Sequence, residues 1–76
     1  MTADEWTGAF ARELGLSPPN QEQVRAILEL AGTAAHSSER MAAPVAAWLA
    51  GASSRALDEL NEIAARLASS EQDAAG

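Results

Sequence analysis

Seventy-six residues with no cysteine suffice for one domain whose thin core buries roughly 60–65% of the surface its unfolded chain exposes. Neither disulfides nor thiolate metal sites can supplement that core, and stability is expected on the order of 3–5 kcal/mol unless a partner or a second copy adds to it. The net charge is −6, from eleven acidic residues against five basic ones. Arg12, Arg25, Arg40, Arg55 and Arg66 are scattered singly, so there is no cationic stripe of the kind that nucleic acid or an anionic membrane surface requires.

About a quarter of the residues are alanine, and large apolar groups are few. Alanine is the best helix former, so the composition predicts an all-α fold in which small faces let helices approach closely. Met1 to Glu5 carries no basic and apolar leader pattern, and no uncharged stretch approaches the ~20 residues of a bilayer span. A cytoplasmic protein is expected.

Helix one is predicted over Thr2 to Leu14. Thr2 with Glu5 three residues on fits a capping box, and Trp6, Phe10 and Leu14 follow at i, i+4, i+8 as an apolar stripe. Gly15 suits a left-handed stop, with Leu16 folding back, and Ser17-Pro18-Pro19 cannot continue a helix. Asn20 with Gln23 repeats the capping pattern at the start of helix two. Its inner face reads Val24, Ile27, Leu28, Ala31, Ala34 and Ala35, and its end falls between His36 and Arg40. Gly32 costs about 1 kcal/mol against alanine in mid-helix, which suggests close backbone packing there.

Pro44 suits the first turn of helix three, and Val45 to Ala52 carries no charge on any side. A helix apolar all round is usually enclosed by others. The expected architecture is therefore a compact bundle of four short helices with helix three most buried. Helix four is predicted from Ser53 or Ser54 to about Ala68, with Leu57, Leu60, Ile63, Ala64 and Leu67 on one face and a Glu62–Arg66 pair. Residues 1–68 form the domain, and 69–76 read as a disordered tail. Serine pairs at 37–38, 53–54 and 69–70 fit caps and connectors better than a repeat.

His36 is the single histidine. With no converging ligands it is not a metal site, and Ser37 and Ser38 point away from it if the helix continues. His36 and Arg40, four apart, could share a face and hold an anion with the amides that open helix three, or bind a partner. The plainer alternatives are a histidine bonding helix-end carbonyls and an arginine paired with a nearby glutamate. Trp6 and Trp48 are read as core aromatics, or else as interface anchors. No nucleophile, base and orienting group occur together, so no enzyme and no cofactor are expected. An acyl-carrier reading fails because no serine follows an aspartate.

Ala35-His36, then Arg40-Met41-Ala42-Ala43-Pro44, then Leu49-Ala50-Gly51 resembles a small actinobacterial helical domain family of unknown function. That family carries Ala-His, three residues, Arg-Pro-Ala-Ala-Pro, and an apolar helix closing on Leu-x-Gly. Trp6 and the Glu13-Leu14-Gly15-Leu16 stop are similar to its first helix. Met41 stands where the family usually has its first proline, which softens the stop of helix two. Members occur alone or joined to the C-terminal end of a molybdenum-cofactor guanylyltransferase. The resemblance implies an accessory role near molybdenum-cofactor maturation, with that enzyme as a possible protein partner, and implies no activity for the domain itself. A small-ligand binder using His36 and Arg40, and a self-associating bundle, are the alternatives.

Overall fold

The computed structural model describes the backbone of residues 1–75 and the side-chain surroundings of residues 1–70. Four α-helices follow in order: α1 Ala3–Glu13, α2 Gln21–Ser37, α3 Ala42–Ser53 and α4 Leu57–Ala75. The protein is all-α.

The helix starts form as their sequences dictate. In α1 the Thr2 hydroxyl accepts from the Glu5 amide at 3.1 Å while the Glu5 carboxylate accepts from the Thr2 amide at 2.9 Å. The Thr2 amide, and after it the Thr2 hydroxyl, hold the Glu5 carboxyl below its usual value near 4.5. A depressed carboxyl contributes stability above its unfolded value and loses it as pH falls through the folded one, so this cap weakens in acid. Asn20 and Gln23 make the same reciprocal pair at 2.8 Å each. Gly15 adopts φ +74°, and the amides of Leu16 and Gly15 donate to the carbonyls of Ala11 and Arg12. These are the two bonds of a Schellman stop.

Two of the three serine pairs end helices. The Ser37 hydroxyl donates back to the Thr33 carbonyl at 2.7 Å, and Ser38 leaves helical space at φ −141°, ψ −107°. The α2 stop is thus made without a proline at position 41. Ser53 donates to the Ala50 carbonyl and accepts the Arg55 amide, while Ser54 turns the chain with φ +59°. Ser53 and Ser54 therefore close α3 instead of opening α4. The third pair, Ser69–Ser70, lies inside α4, which continues past Ala68 to Ala75. The expected tail from Ser69 falls mostly outside the described side chains.

The organising element is α2, against which both α3 and α4 pack. Leu30 is buried where the three meet, and Ala11 is the other buried apolar residue among those described. Asn61 fastens α4 to α2: its amide nitrogen donates to the Ala26 carbonyl at 3.0 Å and to the Leu57 carbonyl at 3.2 Å. Glu62–Arg66 makes no ion pair, and the one among the described residues joins Arg55 to Glu59 just upstream.

Helix three is not the most buried element. It contains no buried residue, and Trp48 is 72% exposed. Its small side, Ala46, Ala47, Ala50 and Gly51, is turned toward α2 and α4, while Met41, Val45 and Trp48 lie on the outer side. Alanines facing α2 do not close the space either: a hollow of about 310 Å³ lies between Ile27, Leu30, Ala47, Gly51, Leu57 and Leu60. Gly32 is not a point of close approach, because a Cβ built there meets nothing within 4 Å.

Gly32→Ala should therefore stabilise the protein by about 0.5–1 kcal/mol, through helix propensity and a less flexible unfolded chain. Thermal unfolding followed by circular dichroism checks the direction. At Asn61, Asp in place of Asn sets an acceptor against two carbonyls and should cost about 1–3 kcal/mol at neutral pH, whereas Leu removes the polar group altogether and should cost less. Urea unfolding of the two variants reads the difference.

Candidate functional site

The sequence offered two kinds of site: a polar one at His36 and Arg40, and an apolar one at Trp6 and Trp48. The structure treats them differently.

His36 lies in the last turn of α2 and is exposed. Arg40 lies beyond the break at Ser38, in the turn before α3, and is also exposed. The helix that would have placed them on one face has ended between them. The amides at the start of α3 are already engaged: Ala42 donates to the Glu39 carbonyl at 2.9 Å and Ala43 to the Arg40 carbonyl at 3.2 Å. Pro44 has no N–H to offer. The free amides that make a helix start an anion site are therefore spent on a tight turn. Neither plainer expectation is met: among the described residues, His36 makes no side-chain bond to a helix-end carbonyl and Arg40 no ion pair.

The apolar groups are gathered on three surfaces. On α1, Asp4, Thr7 and Gly8 border a hollow of about 580 Å³ shared with Pro18, Asn20, Val24 and Leu28. Their i, i+3, i+4 spacing marks the side of α1 that faces the start of α2, and it puts Trp6 and Phe10 on the far side. Those two rings stack with centroids 5.2 Å apart at 25°, and they are 55% and 51% exposed. The apolar stripe of α1 is thus left more than half exposed at Trp6, Phe10 and Leu14.

The second surface is the outer side of α3. Met41, Val45 and Trp48 follow one another at about one-turn intervals and are 74%, 57% and 72% exposed. No side chain of the described residues carries charge between Arg40 and Arg55, so this side of α3 is apolar along its whole length. The third is a groove of about 490 Å³ bounded by α2, α3 and α4, with Leu30, Leu49, Leu60, Ile63 and Leu67 along its walls. Arg55, held by Glu59, stands at its edge.

Neither tryptophan is a core residue, which removes the core reading of Trp6 and Trp48. Asn61 was missed because nothing local distinguishes an asparagine that ties two helices from one that caps or faces water. Among the described residues, no group of three or more His, Asp or Glu is placed to hold a metal ion. No helix among them is long and apolar enough to cross a membrane.

Comparison with known proteins adds a family but no activity. Neither a curated protein nor a solved structure matches the chain. A family model described as a domain of unknown function, DUF6457, matches residues 1–76, capped starts, glycine stop and apolar α3 included, and the chain belongs to that family.

Proposed function

We propose that the chain is a non-catalytic, cytoplasmic protein-interaction module that works as an accessory to a larger partner. The observation that carries this reading is the outer side of α3, where Met41, Val45 and Trp48 stand exposed on a helix with no charge on any side. Exposing such a row to water forfeits about 25 cal/mol for each Å² of apolar surface left uncovered, and a partner that covers it recovers that amount. Tryptophan is enriched among the side chains that anchor protein interfaces. Arg40 and His36, exposed beside the start of the row, supply a polar rim that fixes orientation and partner choice.

The resemblance to a domain found joined to molybdenum-cofactor guanylyltransferases makes that enzyme the first partner to test. A domain fused to an enzyme in some proteins and separate in others commonly binds the same enzyme when separate. The support for this partner is association, and it assigns the domain no chemistry.

The test is binding of the purified chain to the guanylyltransferase of the same organism, measured by titration calorimetry. Trp48→Ala should weaken it about 30-fold or more, the loss of an interface anchor worth 2 kcal/mol. Trp48 is exposed, so this variant should keep its helicity and melting temperature. Binding unchanged by Trp48→Ala would remove α3 as the docking face. No binding at all would remove this enzyme as the partner.

A further inference from the structure

Val24, Arg25 and Leu28 share the side of α2 opposite Leu30, Ala34 and Ser37. One side of α2 thus meets α3 and α4, and the other faces α1. The extensive helix contacts are those of α2 with α3 and with α4, and α1 has none of that extent. Between α1 and α2 lies the hollow of about 580 Å³, with Asp4 and Thr7 on the α1 wall and Pro18 at the connector. Gly8 borders it without a side chain, which keeps that wall low.

The charges around the hollow are unusual for this chain. Asp4 and Arg25, one from each wall, are the only charged groups that border it. Neither makes an ion pair or a side-chain hydrogen bond with any described residue. A chain at −6 therefore has here a hollow with no net charge and a dipole across it. The uncharged polar groups keep the same sense. The Thr7 hydroxyl has given its proton to the Ala3 carbonyl at 2.9 Å, so toward the hollow its oxygen can only accept. Asn20 Oδ1 is already taken by the Gln23 amide. The α1 wall accepts and the α2 wall donates.

We propose that this hollow binds a free α-amino acid with a large apolar side chain. Its ammonium sits on Asp4 and the Thr7 oxygen, its carboxylate on Arg25, and its side chain along Val24, Leu28 and Pro18. The reach fits. A hollow of this volume is roughly 10 Å across, within the size range of small-molecule sites. An ammonium and a carboxylate on one carbon, with a charge-assisted bond of about 2.8 Å on either side, span about 8–9 Å. The ligand joins two ions that do not reach each other. A simple acid or amine carries one charge and leaves the opposite ion without a partner as the hollow loses water. Bound there, the amino acid ties α1 to α2 and stabilises the folded chain by mass action.

The experiment is titration of the full chain with L-phenylalanine, followed through amide chemical shifts. Two analogues are titrated beside it: 3-phenylpropionate, which lacks the ammonium, and phenethylamine, which lacks the carboxylate. Shifts should gather in the first two turns of α1 and between Pro18 and Leu28. L-phenylalanine should bind at least tenfold more tightly than either analogue, the loss of one charge-assisted bond. Asp4→Asn should abolish the preference over 3-phenylpropionate, and Arg25→Gln the preference over phenethylamine. Both positions are exposed, so both variants should stay helical by circular dichroism. The inference is overturned by an absence of saturable shifts up to the solubility limit of L-phenylalanine, or by equal affinities for the three compounds. Shifts confined to the groove between α2, α3 and α4, or variants that keep both preferences, overturn it as well. Trp48 does not border this hollow, so failure here leaves the α3 reading standing, and failure of the Trp48 test leaves this site standing.

Discussion

Leu30 is buried where α2 meets α3 and α4, and everything else in the packed part of the chain is arranged around that one side chain. It borders both hollows that flank α3, with Leu60 opposite it on α4 in each. A second tie, from Asn61 to the Ala26 carbonyl, fixes how α4 lies along α2. Beyond these, the helices meet through half-buried alanine, leucine and isoleucine. A chain this small has few large apolar groups, and here many of them stay open to water: Trp6, Phe10, Leu28, Val45, Trp48, Leu49 and Leu67 are all more than half exposed.

That distribution links the fold to the function proposed for it. A single chain with two buried residues among those described is poorly able to hold itself together by its own core, since a core below about 70–80 residues seldom supplies more than a few kcal/mol. Association then acts as part of folding: whatever covers the outer faces binds the folded chain and not the unfolded one, and so stabilises it by mass action. On the proposed reading, the same faces that cost stability in isolation are the ones a partner covers. His36 and Arg40 do not form an anion pocket with the start of α3, because the turn between α2 and α3 has used the amides an anion would need.

What could be read in the sequence was what is decided within a few residues. Thr2 with Glu5, Asn20 with Gln23, the left-handed Gly15 and the serine closing α2 are all local devices whose partners lie within one turn. The apolar periodicity of α4 was legible for the same reason. What could not be read was which apolar face meets which. Trp6 and Phe10 define a stripe, yet the stripe alone does not say whether its cover comes from the same chain. An α3 with no charge announces that it needs covering, and the inference that its own neighbours supply the cover was the step that failed at Trp48. Gly32 and Asn61 failed from opposite sides: one was expected to make a contact that open space denies, and the other makes a contact with Ala26, thirty-five residues away.

The central claim is that one chain alone leaves the outer side of α3 uncovered and gains stability when a partner covers it. The most direct measurement is the thermal midpoint of the purified chain, followed at the tryptophan fluorescence of Trp48 in a Trp6→Phe variant, with and without an excess of the guanylyltransferase of the same organism. The account predicts a midpoint that climbs with partner concentration, since the partner binds the folded chain and not the unfolded one. A midpoint that the partner leaves unchanged would contradict the account.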